Sequence, residues 1–125
     1  MQVKTSELTG AVLDWTVASC LGAIHESGFW DEIESSYYSR PTSYSTDWAQ
    51  GGPILSDARI SRTIDHSGLW IAYWTDGYTD GDEGKKWMQC DRSELVAGLR
   101  CYVASELGDE VEVPEELTKG TNNAL

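Results

Sequence analysis

The spacing of hydrophobic residues changes twice along this chain, and that pattern restricts its fold more than any other feature. Apolar residues recur at intervals of three and four over residues 6–24 and again over 92–106, which predicts an amphipathic helix in each range. Between them, ISRTID at 60–65 alternates apolar and polar residues, HSG at 66–68 supplies a turn, and LWIAYWT at 69–75 is rich in β-forming residues, which together predict a β-hairpin. We therefore expect an α+β fold with two amphipathic helices packed on a small antiparallel β-sheet.

Residues with capping chemistry indicate where the two helices begin and end. Thr5 or Ser6 is expected to cap the first helix, because a hydroxyl oxygen there can accept a hydrogen bond from the first turn. Asp91 and Glu94 form a plausible capping pair for the second helix. Gly108 is expected to end that helix, since glycine adopts the left-handed backbone conformation common after a helix.

Two shorter segments complete the expected domain. Residues 47–60 are predicted to form a short helix if Pro53 lies in its first turn, and DEVEVP at 109–114 is predicted to be extended. A chain of 125 residues has the usual size of one domain. We expect a single domain over residues 1–117, followed by a flexible polar tail over 118–125.

A long aromatic, serine- and glycine-rich loop without periodicity, residues 31–53, lies between the first helix and the hairpin. Loops of this length in small domains are often functional. Its segment YSTDWAQGGPIL at 44–55 combines an indole for stacking, a carboxylate and an amide for polar edges, and two glycines that allow close backbone approach. These features predict a ligand-binding site comprising Arg40, Tyr44, Ser45, Thr46, Asp47, Trp48, Gln50, Gly51, Gly52 and Arg59.

The charge of the chain limits the ligands that it can bind. Nine Lys and Arg residues against 21 Asp and Glu residues give a net charge of −12. That field repels a phosphate backbone, so direct DNA or RNA binding is not expected. A few arginines in a pocket can still bind a small anion, and the candidates are Arg40, Arg59, Arg62 and Arg100. Alternatively, the carboxylates imitate the phosphates of a nucleic acid, or they simply aid solubility.

The cysteines, apolar runs and aromatic residues limit the cellular location and the oligomeric state that we expect. Three cysteines without paired spacing indicate neither disulfides nor a zinc site. No apolar run approaches the ~20 residues that span a bilayer, and the N-terminal residues lack the plan of a secretory signal, so a cytosolic protein without membrane contact is expected. Six Trp and six Tyr residues against one Phe favour exposed aromatic surfaces and a homo-oligomer.

The sequence contains no pattern typical of an enzyme. His25 is expected near the end of the first helix and His66 in the hairpin turn, where structural roles are favoured. No nucleophile elbow, phosphate-binding glycine loop or HExxH metal helix occurs. The segment TDGYTDGDEG at 75–84 lacks the ligand spacing of a calcium loop. We therefore expect no catalytic residues, no cofactor and no metal.

Three blocks of sequence carry a resemblance to a known family. These are VKTSELTGAVLDWTVA at 3–18, YSTDWAQGGPIL at 44–55 and LRCYVASELGDEVEVP at 99–114. They resemble the NinX-like family of small proteins encoded by lambdoid phages and their prophages. The resemblance implies a phage protein that acts in the cytoplasm of the bacterial host.

Two functions fit a phage accessory protein without catalytic residues. In the first, the protein is a counter-defence sponge that sequesters a small nucleotide immune signal of the host. Trp48 or Tyr44 would stack on a base, and Arg40 or Arg59 would pair with phosphate. In the second, the protein is an acidic inhibitor or adaptor that binds a host protein through its charged surface, and imitation of a nucleic acid is one form of this alternative.

Overall fold

Three helices and two antiparallel sheets make up the part of the chain that the computed structural model describes, residues 1–21, 43–75, 84–115 and 117. The helices are Gly10–Cys20 (α1), Trp48–Asp57 (α2) and Glu94–Leu107 (α3). The strands are Gln2–Lys4 (β1), Ser61–Ile64 (β2), Trp70–Thr75 (β3), Lys85–Asp91 (β4) and Glu110–Glu112 (β5). This mixture of elements confirms the predicted α+β class.

The larger sheet has the strand order β2-β3-β4 and contains the predicted hairpin. β2 and β3 pair antiparallel, with Ile64 opposite Trp70. In the turn between them, Asp65 Oδ1 accepts hydrogen bonds from the backbone N–H groups of Ser67 and Leu69, and Gly68 has a φ of 90°. The predicted turn at HSG is therefore confirmed, and an aspartate immediately before it stabilises the bend.

The smaller sheet joins the two ends of the described chain. β1 pairs antiparallel with β5, and Val3 lies opposite Val111. The predicted extended segment at 109–114 is confirmed as β5, whereas neither β1 nor β4 was predicted. Thr5 Oγ1 adds to this junction by donating a hydrogen bond to the Gly108 carbonyl at 2.6 Å.

The core forms around α3, which contacts β3, β4, α1 and α2. Every residue from Leu95 to Ala104 is buried, and so is every residue from Val12 to Ala18 in α1. Both helices therefore bury far more than the single apolar face that an amphipathic pattern predicts. Trp15 and Tyr102 are buried in this core, and Trp70 packs against it.

The predicted bounds of all three helices need correction. Helix α1 begins at Gly10 instead of residue 6, because residues 5–7 form a single 3-10 turn and Thr5 points into the interior. Thr9, not Thr5 or Ser6, is the residue before α1, and its side chain makes no capping hydrogen bond. The predicted end at residue 24 lies outside the described residues.

Capping also differs at α2 and α3. Ser93 caps α3, and its hydroxyl accepts from the Val96 N–H at 3.2 Å, while Asp91 Oδ2 accepts from the Ser93 N–H. The predicted pair of Asp91 and Glu94 is therefore wrong in register. In α2, Pro53 is the sixth residue and not part of the first turn. Proline has no N–H to donate to the carbonyl of Ala49 four residues earlier, and the exposed position of Ala49 makes this loss tolerable.

Several predictions concern residues outside the described ranges. These are the end of the first helix with His25, most of the loop 31–53, the charged segment 76–83 and the tail 118–125. Within the described ranges, no helix has the length and apolar character needed to cross a membrane.

Candidate functional site

The side chains of Asp47 and Gln50 hold the predicted binding loop together. Asp47 is the N-cap of α2, and its Oδ1 accepts from the Ala49 N–H at 2.9 Å. Its second oxygen accepts from Gln50 Nε2 at 3.1 Å, and Gln50 Oε1 accepts from the Ser43 N–H at 2.9 Å. Asp47 and Gln50, which the sequence predicts to bind a ligand, therefore hold the loop against the helix through their hydrogen bonds.

Gly51 lies at a close contact between α2 and its surroundings. It is buried, and a Cβ at this position would lie 2.3 Å from the Tyr44 carbonyl oxygen and 2.8 Å from Leu95 Cδ1. Its N–H donates to the Asp47 carbonyl at 2.9 Å within the helix. The Gly51 amide is therefore engaged in the helix, and the glycine is needed for packing.

Ser45 anchors the loop to α1 through a buried carboxylate. Its N–H donates to Asp14 Oδ1 at 2.8 Å, and Asp14 is only 9% exposed. Burial raises the pKa of Asp14 from its ordinary value, and the hydrogen bonding from Ser45 partly opposes that rise. This contact fixes the direction in which the chain enters α2.

Trp48 is the large side chain that the loop presents to solvent, with 47% of its surface exposed. The Arg62 guanidinium from β2 lies 5.9 Å from the centroid of its ring. Arg62 is held in place by two hydrogen bonds, from Nε to Glu94 Oε1 at 3.0 Å and from Nη1 to the Ile60 carbonyl at 2.9 Å. A stacking ring and a positioned guanidinium therefore occur side by side.

The remaining predicted site residues have different environments. Thr46 and Arg59 are exposed, Tyr44 is half-buried against the core, and Gly52 lies behind Trp48. Arg40 lies outside the described residues. Of the other candidate arginines, Arg100 is buried in the core, so Arg62 is the one that the structure brings to Trp48.

A second set of aromatic and basic side chains lies where β3 ends and β4 begins, and sequence reasoning did not identify it. The Trp74 and Trp87 ring centroids are 5.6 Å apart, with a tilt of 55°. Lys86 Nζ lies 5.9 Å from the Trp74 ring and Lys85 Nζ lies 4.7 Å from the Tyr73 ring. We refer to these five residues as the aromatic–lysine cluster.

The described residues offer recognition chemistry more readily than reactive groups. No group of three or more His, Cys, Asp or Glu side chains within the described ranges is placed to hold a metal ion. Burial raises the pKa of the Cys20 thiol to about 11 and that of the Cys101 thiol to about 12, so both are protonated at neutral pH. Exposed rings beside cations suit a planar, anionic ligand.

Comparison with known proteins assigns the chain to a family. No curated protein matches it. The family model described as "Bacteriophage P22, NinX" matches residues 4–106, which include all three helices apart from the last residue of α3, and the whole larger sheet. The match agrees with the resemblance of the three sequence blocks. Since the model covers most of the chain, this protein belongs to the phage P22 NinX family.

Proposed function

We propose that this phage protein acts in the host cytoplasm as a non-catalytic sponge that sequesters a small nucleotide immune signal. The observation that carries this proposal is the exposed Trp48 ring beside the Arg62 guanidinium. A nucleobase can stack on an exposed indole, and a guanidinium can pair with a phosphate.

The contacts of Arg62 support its role as the phosphate-binding group. Glu94 and the Ile60 carbonyl use Nε and Nη1, and Nη2 makes no hydrogen bond to another described residue. The guanidinium is thus held in one orientation before a ligand arrives, which reduces the entropy lost on binding. In this proposal Arg62, instead of Arg40 or Arg59, pairs with the phosphate of the ligand. Asp47, Gln50 and Gly51 support the site by fixing the first turn of α2, which contains Trp48.

A ligand screen tests this proposal. The full chain is titrated with cyclic dinucleotides, cyclic trinucleotides and ADP-ribose derivatives, and thermal unfolding and calorimetry are measured. A ligand at 100 times its Kd should stabilise the protein by about 2.7 kcal/mol. Trp48→Ala should abolish the effect, whereas Leu107→Ala, which also truncates a side chain about half exposed, should retain it. Equal binding by wild type and Trp48→Ala would refute the Trp48 site.

A second candidate function, an acidic inhibitor of a host protein, is favoured by the distribution of carboxylates. Several exposed acids gather where α3 ends and β1 pairs with β5, and the net charge of the chain is −12. They are Glu7, Glu106, Asp109, Glu110, Glu112 and Glu115. Such a surface can bind a basic protein that normally holds nucleic acid.

Salt-dependent capture from host lysate tests the second candidate. A basic host protein should be retained at low salt and released as salt rises, because screening weakens charge pairing. Neutralising Glu106, Asp109 and Glu110 together should abolish retention, whereas neutralising the exposed Asp57 on α2 should not. Unchanged retention by the triple variant would count against the acidic surface.

A further inference from the structure

Trp87 has a backbone conformation that is unusual for a bulky residue. Its φ is 57°, in the left-handed region that favours glycine. The register explains where this occurs: Ala72 pairs with Gln89, but Trp74 pairs with Lys86, so β4 contains one extra residue opposite β3. Bulges of this kind redirect a side chain and are frequent beside binding sites.

The bulge brings two side chains of different chemistry to one ring. Lys86 takes the position opposite Trp74, and its ammonium nitrogen lies 5.9 Å from that ring. Trp87, the extra residue, also reaches Trp74, with the ring centroids 5.6 Å apart. Trp87 remains 41% exposed. An accessible indole and an ammonium group are therefore placed together by a strained backbone.

Part of the aromatic–lysine cluster, Trp74 with Lys86, lies on the same face of the sheet as Arg62, whereas Tyr73 and Lys85 alternate to the other face. Arg62 pairs with Ala72, and Trp74 follows Ala72 by two residues on the same face of β3. Arg62 and Trp74 are thus diagonal neighbours, with Cβ atoms about 7–8 Å apart. Arg62 lies near the Trp48 ring of α2, and Lys86 of β4 lies near the Trp74 ring of β3. Aromatic rings and cations therefore alternate from α2 across to β4.

From this order we infer that the ligand has two nucleobases joined through phosphate, with one base on Trp48 and the other on Trp87. Arg62, near the Trp48 ring, and Lys86, near the Trp74 ring that Trp87 contacts, would contact the linking phosphates. A mononucleotide would use only one half of the arrangement. The inference rests on the proposed nucleotide sequestration and narrows its ligand class to dinucleotides.

Calorimetry on the full chain tests the inference with defined probes. The probes are AMP, GMP, the linear 5′-phosphorylated dinucleotide pApA, cyclic di-AMP, cyclic di-GMP and cyclic GMP-AMP. The wild type should bind at least one dinucleotide roughly tenfold more tightly than the corresponding mononucleotides, as expected for a second stacked base. Trp87→Gly should remove that preference, because the second base would lose the ring on which it stacks. This variant should fold, since glycine suits the backbone at this position.

Control variants separate this inference from the proposed function. Met88→Ala, next to Trp87 and 46% exposed, should keep the wild-type preference, and Lys86→Gln should weaken dinucleotide binding. Trp48→Ala should weaken both ligand classes. If Trp87→Gly bound dinucleotides like the wild type while Trp48→Ala did not, the two-base inference would be overturned and the proposed function would stand. Failure of the wild type to bind any dinucleotide probe would overturn the two-base inference, and the proposed function would fail as well only if cyclic trinucleotides and ADP-ribose derivatives also did not bind.

Discussion

Large side chains are buried in helix α3 but exposed at the β3–β4 end of the larger sheet. Ten consecutive residues of α3 are buried, including a positively charged Arg100 whose guanidinium is hydrogen-bonded. At the sheet end, Trp87 and Met88 are more than 40% exposed, and Trp87 has a strained backbone. The contrast indicates that α3 contributes more to stability, whereas the sheet end leaves large side chains accessible, as the proposed ligand site requires. Substitutions should therefore separate the two properties.

The largest loss of stability is expected from Arg100→Met. Arg100 Nε donates to the Leu8 carbonyl at 2.7 Å, and Nη1 donates to the Cys90 carbonyl at 3.0 Å and to Asp91 Oδ1 at 3.2 Å. Methionine keeps much of the volume but leaves these acceptors without their donor, so the free energy of unfolding should fall by about 3 kcal/mol. Urea denaturation measures the change.

Arg92→Met is the matched control for that substitution. Arg92 is exposed, so its replacement should change the free energy of unfolding by less than about 0.5 kcal/mol. Similar losses in the two variants would show that the buried position of Arg100 has no special importance, and the comparison of α3 with the sheet end would lose its basis.

A loss of about 2 kcal/mol is expected from Gly51→Ala, because a new methyl group would meet a backbone oxygen and a buried leucine. Gly52→Ala in the next position is the control. Its Cβ would lie 3.3 Å from Trp48 Cε3, on an exposed side chain that can move. Alanine also favours the helix by up to about 1 kcal/mol, so Gly52→Ala should be nearly neutral. Thermal and urea unfolding of both variants would show whether α2 needs a glycine at only one of these positions.

The helices and strands that the sequence predicted are those whose residue pattern lies within one short segment of the chain. The hairpin was found because alternation and its turn lie within 15 residues, and α3 because its apolar residues recur over a single segment. β4 was missed because the bulge at Trp87 interrupts its alternation. β1 was missed because its partner β5 lies more than 100 residues away, and no local pattern indicates such a pairing.

The candidate site was only partly accessible to sequence reasoning. Trp48 was identified because its indole, in a polar, glycine-containing loop, offers a flat face for stacking, and the side chain is exposed. Asp47 and Gln50 were chosen for their hydrogen-bonding capacity, but that capacity also suits a helix cap, and local geometry decides between the uses. The position of Arg62 against Trp48 depends on how α2 and β2 are arranged around the beginning of α3, where Glu94 bonds Arg62, and residue spacing does not reveal that arrangement.

A smaller effect, dependent on pH, is expected from Asp14→Asn. Burial raises the pKa of Asp14 in the folded state, so ionisation costs more in the folded than in the unfolded protein. The stability associated with the protonated form is present below the unfolded pKa, near 3.8, and is lost as pH rises through the folded pKa. Asparagine can still accept the Ser45 N–H through its Oδ1 without carrying charge.

Asp14→Asn should consequently be more stable than the wild type at pH 7, and the difference should shrink at pH 3. Urea denaturation of both proteins at the two pH values measures this. Asp57→Asn, on an exposed carboxylate, controls for net charge. A variant that was less stable than wild type at pH 7 would show that the charge on Asp14 strengthens the Ser45 contact by more than its burial costs.

The smallest effect on stability is expected at the sheet end, for Trp87→Gly. Removing the ring loses its contact with Trp74, whereas glycine relieves the left-handed backbone, so the two changes should cancel to within about 0.5 kcal/mol. Trp87→Ala loses the same contact but keeps a Cβ in that backbone conformation, and it should be less stable than Trp87→Gly by about 1 kcal/mol. Urea denaturation of the pair therefore measures the strain directly. If the two variants were equally stable, the left-handed conformation would carry no measurable cost. The sheet end would then differ from α3 in exposure alone, and the structural reason for regarding Trp87 as a residue positioned for binding would be lost.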